Sequence, residues 1–193
     1  MHLQVVFSVA ELSLGNSEFG QTLALVAFGA NLGDVDENIR RALEMLGNVV
    51  GVTVMKTSSV WHTLPVGGPS GQPVFSNGAV LVKTSLSPHA LLEELHEIEI
   101  ELQRVRNEFW GPRTIDLDLI SYGNLIITTS ELILPHPRVY WRHFVLDPVC
   151  EIAPDIVLST TGLSFRETRR LLYNNFKLYD LASFFLHMAA ALE

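Results

Sequence analysis

Gly111-Pro112-Arg113-Thr114-Ile115-Asp116-Leu117-Asp118-Leu119-Ile120 is the stretch from which both the fold and the chemistry of this chain are read. Over 114–122 branched apolar residues alternate, with Ile115, Leu117 and Leu119 on one parity, and a Gly-Pro pair precedes them. This is a β-strand entered from a turn. Asp116 and Asp118 then share one face of the strand. Their Cα atoms lie about 6 to 7 Å apart, so two ionised carboxylates repel by about 2 to 3 kcal/mol at an effective dielectric of about 20. A cation belongs between them, and the residues alone leave two candidates. One is arginine: Arg113 together with a second guanidinium. The other is Mg2+, which takes one or two carboxylates and fills its shell with water and phosphate oxygens; a pair of metals about 4 Å apart is a clamp for phosphoryl transfer.

Working outward, the apolar run over 23–28 reads as a first strand, followed by the turn Gly29-Ala30-Asn31-Leu32-Gly33. A helix follows over 35–46, capped by Asp34 with Glu37 and stopped at Gly47. Strands are expected over 49–61 and 75–84. The loop between them holds Pro65, Gly67, Gly68, Pro69, Gly71 and Pro73, and a structureless loop of that length is usually functional. Ser87-Pro88 starts a second helix running to about residue 102, with Leu91, Leu92, Leu95, Ile98 and Leu102 on its buried stripe and an acidic outer face. A short strand over 125–128, a rigid turn at Leu134-Pro135-His136-Pro137-Arg138 and a helix over 139–148 come next, and 162–193 reads as helical. The order β, α, β, β, α, β predicts an α+β fold, a ferredoxin-like sandwich in which an antiparallel sheet carries helices on one face, plus a helical C-terminal tail. The expected division is an extension at 1–21, a folded domain at 22–160 and the tail at 161–193.

At 193 residues the chain buries enough surface to need neither metal nor disulfide for stability. Cys150, the single cysteine, lies in the apolar run 144–152 and reads as a small buried hydrophobe. The net charge of −8 argues against a nucleic-acid partner, which requires a basic footprint. Yet Arg104, Arg106, Arg113, Arg138 and Arg142 cluster in one central stretch with His136 and His143, which suits a small polyanion such as a nucleoside triphosphate. The glycines at 29–33 do not form GxGxxG, so a Rossmann nucleotide site is not expected. No apolar run approaches about 18 residues, and the first ten residues lack the basic region of a secretory signal. A cytoplasmic protein with no membrane contact is expected.

Several further stretches occur in a meaningful order: Gly29-Ala-Asn-Leu-Gly33, Ser58-Ser59 leading to Thr63 and Pro65, Asn77, Arg104-Val-Arg106, Trp110-Gly-Pro-Arg-Thr-Ile-Asp-Leu-Asp-Leu119, Leu134-Pro-His-Pro-Arg138, and Phe144 with Glu151-Ile-Ala-Pro154. Over 23–154 the chain thereby resembles the 6-hydroxymethyl-7,8-dihydropterin pyrophosphokinases of folate biosynthesis. The resemblance implies that the pterin's hydroxymethyl oxygen attacks the β-phosphorus of ATP and AMP leaves. It implies ATP as co-substrate and two Mg2+ ions held by Asp116 and Asp118, with Arg113 and Arg104 as catalytic cations. It places Glu99, Arg106, Trp110, Arg113, Leu119, His136 and Arg142 against ATP, with Arg104 and Arg106 on a loop that closes over the nucleotide. Thr63, Pro65, Val66, Phe75, Asn77 and Phe144 are placed against the pterin, with the two phenylalanines stacking on its ring. A monomer is expected.

The chain also departs from that pattern. Gln103 stands where the family usually has glycine, the loop from Arg104 to Trp110 reads as about one residue short, and Glu131, Pro137 and Ala30 replace more usual residues. Three other readings compete: a nucleic-acid-binding module, which lacks its basic and aromatic sheet motif; a metal-dependent nucleotidyl transferase or nuclease, which leaves Asn77 and the aromatic residues unexplained; and a catalytically silent relative, which leaves Arg113, Asp116 and Asp118 unexplained.

Overall fold

The computed structural model describes residues 20–104 and 110–176. Most of the expected N-terminal extension, Arg106 with the centre of its loop, and the tail from 177 onward lie outside the described residues. Within them, the central strand is β1 (Thr22–Ala30). It pairs antiparallel with β4 (Phe75–Thr84) on one side and with β5 (Asp116–Tyr122) on the other. β2 (Val52–Thr57) and the short β3 (Trp61–Thr63) both lie along the far edge of β4, giving the order β2-β4-β1-β5. The strand expected over 49–61 is therefore two strands. Ser58 breaks them apart yet keeps the ladder satisfied: its N–H donates to the Ala79 carbonyl at 2.9 Å, and its hydroxyl oxygen accepts from the Ala79 N–H at 2.9 Å.

Both faces of this sheet are buried. Ala24, Val26 and Phe28 of β1, Val80 and Val82 of β4, and Leu117 and Leu119 of β5 pack against α1 (Val35–Asn48) and α2 (Pro88–Glu101). Leu25, Ala27, Ala79, Leu81 and Ile120 point the other way, against α3 (His143–Ile152) and α4 (Phe165–Phe176). Helices on one face only were expected; the two-sided core is why β1 reads as an unbroken apolar run rather than an alternating one. The parity of β5 holds through Ile120 and reverses by Tyr122, which joins Leu117 and Leu119 on the α1 and α2 face, because the pairing with β1 bulges at Ile120, opposite the step from Leu25 to Val26.

The helix caps follow the sequence. Asp34 Oδ1 accepts the Glu37 N–H at 3.2 Å, and Ser87 Oγ accepts the Ala90 N–H at 3.2 Å. Gly47 does not stop α1; the helix runs to Asn48, with Val49 as its C-cap. The helix expected over 139–148 is a 3-10 turn, Val139–Trp141, followed by α3. α3 continues past Pro148 despite one missing N–H, because Val145, Leu146, Val149 and Ile152 bury against the sheet. The strand expected over 125–128 shortens to β6 (Ile127–Thr128), paired with β7 (Ile133–Leu134). Cys150 is half-buried rather than buried, and burial still pushes its thiol up to about 11, which leaves it protonated and unreactive at neutral pH. Among the described residues no helix is long and apolar enough to cross a membrane.

Candidate active site

The paired carboxylates sit where β5 passes β1, with Asp116 opposite Gly29 and Asp118 opposite Ala27. That register puts them on the α3 face of the sheet, alongside Ala27, where Arg142 at the start of α3 pairs with Asp118. Both belong to two adjoining cavities. The first, about 290 Å3, is lined by Phe28, Gly29, Thr63, Leu64, Val66, Phe75, Asn77, Trp141 and Phe144 among others. The second, about 770 Å3, is lined by Glu99, Arg104, Leu119, Glu131, His136, Arg138 and their neighbours. Trp110, Arg113, Asp116, Asp118 and Arg142 line both. The boundary between a flat aromatic pocket and a polar cleft is thus built from two carboxylates, two guanidinium groups and an indole.

Both aspartates are paired with arginines. Asp116 Oδ2 pairs with Arg113, and its Oδ1 lies 2.5 Å from Arg104 Nη1. Asp118 Oδ2 accepts from Arg142 Nη1 at 3.0 Å. Arg104 also pairs with Glu99. Glu99 is buried, at 3% exposure, and its Oε1 accepts the Leu117 N–H at 2.7 Å. It therefore holds Arg104 and the start of β5 as well as lining the polar cleft. Three of the arginines also lie over rings: Arg113 over Phe75 at 5.4 Å, Arg142 over Phe144 at 5.6 Å and Arg138 over Trp110 at 5.8 Å. Each guanidinium is held between a polar partner or cleft and an aromatic face.

The aromatic pocket hangs from β3 and β4, whose pairing of Thr63 with Phe75 closes the base of the loop 64–74. Asn77 is buried and donates Nδ2–H to Thr63 Oγ1 at 2.8 Å. A side chain on Gly29 would start 2.8 Å from Asn77 Oδ1, so the strand passes close because nothing is there. Gly67, with φ of 81°, faces the Trp110 indole so closely that a Cβ would lie 2.6 Å from it. Gln72 Nε2 donates to the Trp110 carbonyl at 3.0 Å. The glycine-rich loop and Trp110 thus meet over the pocket. Pro65 stands beside the lining residues but is not one of them. Gln103 takes φ of 57°, the left-handed conformation its usual glycine would adopt freely; the side chain costs about 1 to 2 kcal/mol there.

His136 lines the cleft as a neutral ring. Its Nδ1 accepts the Arg138 N–H at 3.1 Å, which leaves the proton on Nε2 as a donor. Burial, more than the opposing Asp118 carboxylate, pushes its pKa below the ordinary 6.5, and Arg142 and Arg138 lower it further. The unfolded chain therefore takes up this proton before the folded one does. Stability is full above the ordinary value and falls as the pH drops below about 6.5, with a slope of up to about 1.4 kcal/mol per pH unit. Urea unfolding between about pH 7 and pH 5.5 should show this extra slope in the wild type and not in His136→Asn; equal slopes would refute the neutral ring.

Four side chains to which the sequence reading gave no role contribute to the site. Asn31 is buried, at 3% exposure. Its Oδ1 accepts the Arg113 N–H at 2.9 Å, its Nδ2 donates to the Pro73 carbonyl at 3.2 Å, and its own N–H donates to the Arg113 carbonyl at 3.0 Å. Asn31 thus ties the first turn to both loops of the site; its place between Gly29 and Gly33 was the available signal. Glu151 accepts from Ser59 N at 2.9 Å, Ser59 Oγ at 2.7 Å and Trp61 Nε1 at 3.1 Å, joining α3 to the strand that carries Thr63. Leu64 and Trp141 line the aromatic pocket.

Residues 25–154 match the family model described as 7,8-dihydro-6-hydroxymethylpterin-pyrophosphokinase. The chain is 45% identical over 140 residues to the 2-amino-4-hydroxy-6-hydroxymethyldihydropteridine pyrophosphokinase of Bacillus subtilis, covering 72% of this chain and 83% of that one. It is 44% identical over 139 residues to the protein of the same name from Synechocystis, covering 72% and 70%. Among solved structures, a triple mutant of Plasmodium falciparum HPPK-DHPS superposes with a TM-score of 0.67 at 13% identity, over 84% of this chain and 45% of that one. This likeness bears on the fold alone, and the chain spans less than half of that longer protein.

Proposed function

The chain belongs to the 7,8-dihydro-6-hydroxymethylpterin-pyrophosphokinase family, and from this we infer that its two adjoining cavities are the two substrate sites of one transfer. The protein is an enzyme of folate biosynthesis that moves pyrophosphate from ATP to the hydroxymethyl group of 6-hydroxymethyl-7,8-dihydropterin, releasing AMP. The observation that carries the site assignment is the shared boundary. An aromatic pocket with a buried amide fits a flat polar heterocycle, an arginine-lined cleft fits a triphosphate, and Asp116 and Asp118 lie where the two meet.

In this reading Phe75 and Phe144 flank the pterin ring, Asn77 and the backbone of Thr63 to Val66 meet its edge, and Arg104, Arg113, Arg142 and His136 face the phosphates. Trp110 seals the boundary and Leu119 lines the nucleotide side. Charge balance supports a role for Mg2+. The cleft is lined by Arg104, Arg113, Arg138 and Arg142, and equally by Glu99, Asp116, Asp118 and Glu131. Among the described residues these charges balance, so the cleft has little net positive charge to set against a triphosphate, which favours cations arriving with it. Asp116 and Asp118 offer hard oxygen donors suited to Mg2+. Among the described residues no three acidic, histidine or cysteine side chains form a metal group, which fits ions completed by water and phosphate. Bound there, two Mg2+ ions would neutralise charge on the phosphate oxygens and lower the pKa of the attacking hydroxyl. The arginines now on the two aspartates would then be released to the phosphates, where they bind and orient the transferring group.

We read the enzyme as a cytoplasmic monomer, each cavity complete within one chain. The test is incubation with ATP, Mg2+ and 6-hydroxymethyl-7,8-dihydropterin followed by separation of the adenine nucleotides. AMP formed only in the presence of pterin and of Mg2+ is the expected result. ADP in place of AMP would refute attack at the β-phosphorus, and turnover in excess chelator would remove the metal from the scheme.

A further inference from the structure

α4 meets α3 across an apolar seam of Val145, Leu146, Val149, Phe165 and Leu172, and one carboxylate lies in it. Asp147 is buried, at 7% exposure, and both its oxygens are engaged from α4. Oδ1 accepts from Arg169 Nε at 2.5 Å and Oδ2 from Tyr173 Oη at 2.7 Å. The Arg169 guanidinium lies over the Tyr173 ring at 5.0 Å, so the two donors, one turn apart, brace each other. Burial and then the bond to Asp147 raise the Tyr173 hydroxyl above its ordinary value, which keeps its proton available for donation.

An apolar residue would fill this seam without the desolvation cost of a carboxylate. What a doubly bonded Asp147 adds is direction: the carboxylate is buried while the Arg169 side chain stays 42% exposed, and a charged group set into an apolar seam is best attested as a device that fixes registry. The two bonds set both the rotation and the axial position of α3 against α4. α3 is the helix whose first turn carries Phe144 and Val145 into the aromatic pocket and whose N-cap, Arg142, pairs with Asp118. Asp147 lies one turn below Phe144. Glu151, one turn further on, ties the same helix to Ser59 and Trp61. The helix is thus pinned on one side to α4 and on the other to the strand leading to Thr63.

We propose that the contact of Asp147 with Arg169 and Tyr173 is a positioning lock, through which α4 sets the placement of Phe144 and Arg142 in the two substrate sites. Arg169 and Tyr173 touch neither cavity; they act through α3. The inference rests on the assignment of those cavities to pterin and ATP.

The test uses the full-length protein, with kcat and KM for both substrates measured well below the melting temperature. Arg169→Ala should raise the pterin KM about five- to tenfold, Tyr173→Phe about twofold, and Arg169→Lys should return most of the loss. A purely structural contact would lower the melting temperature and leave KM and kcat at wild-type values, and that result for Arg169→Ala overturns the lock. Should Arg169→Ala not fold, Tyr173→Phe and Asp147→Asn decide on the same readout: a raised pterin KM sustains the lock and wild-type constants overturn it. Phe144→Ala separates the two proposals. If it binds pterin as tightly as wild type, the site assignment fails and the lock with it; if it weakens binding while the Arg169 and Tyr173 variants do not, the lock alone fails.

Discussion

Asp118→Ala should lower the rate of AMP formation at saturating substrates by about 10³-fold, roughly 4 kcal/mol of transition-state stabilisation. Asp118 is one of two carboxylates at the boundary of the cavities, and its charge has two consequences. In the proposed function it is one of the two carboxylates offered to a divalent cation. It also holds Arg142, whose side chain is only 15% exposed, in place beside the Phe144 ring. Alanine removes both, so stability falls as well, by about 2 kcal/mol for a lost hydrogen bond to a charged group. Asp118→Asn separates the two effects, because the amide oxygen still accepts from Arg142 while the negative charge is gone. The asparagine variant should regain most of the melting temperature and little of the rate. If either variant keeps more than about a tenth of the wild-type rate, Asp118 has no essential part in the transfer.

How far the sequence carried this account depends on the range of the contacts involved. β4 was read at its observed bounds, Phe75–Thr84, and α2 to within a residue, because an apolar run and a Ser-Pro start are local signals. The break at Ser58 was not legible: it depends on a hydroxyl that substitutes for one rung of a ladder with Ala79, a partner set by the fold. The shift at Ile120 arises likewise from a mismatch with β1. The helices of the second layer were read over 139–148 and from 162 onward, but their placement on the other face of the sheet was not legible, because it rests on packing against β1 and β4 far along the chain; nor was the start of α3, since Arg142 precedes it with no side-chain capping bond and is directed to Asp118 instead.

The same distinction runs through the site. Asp116 and Asp118 were legible as a pair because a strand has a period of two, and both counterion readings were posed from that spacing. Arg113 was named from the sequence and pairs with Asp116, but the second arginine was not legible, since Arg142 comes to Asp118 from 24 residues away. Asn31 looked like a turn residue because its bonds to Arg113 and Pro73 span 82 and 42 residues. Asp147 reads as an anomaly in an apolar run until Arg169 is brought to it by α4. Side chains whose work is to hold distant segments together carry no local periodic signal.

Arg113 is the residue for which these threads combine, and Arg113→Ala should lower kcat/KM for ATP and for pterin together, each by about 10²- to 10³-fold. Its guanidinium pairs with Asp116 Oδ2 on the phosphate side and lies 5.4 Å from the centre of the Phe75 ring on the pterin side. Its main chain is fixed independently, through the N–H accepted by Asn31 Oδ1 and the carbonyl that takes N–H groups from Asn31 and Leu32. Truncation to alanine therefore leaves the loop in position and removes the cation and its planar face. Asp116 keeps Arg104 as a partner, so the variant should fold. Arg113→Lys restores charge without the fork or the flat surface and should recover only about tenfold of the loss. Asn31→Ala makes the converse change, keeping the guanidinium while releasing the backbone that aims it, with an expected loss of about tenfold in kcat/KM and about 1 to 3 kcal/mol in stability from the unsatisfied Arg113 N–H. If Arg113→Ala affects the ATP constant alone, the guanidinium serves the nucleotide only and its contact with Phe75 is packing. A coupled loss, larger in Arg113→Ala than in Asn31→Ala and only partly repaired by lysine, is the pattern required of a group that orients both substrates at their shared boundary.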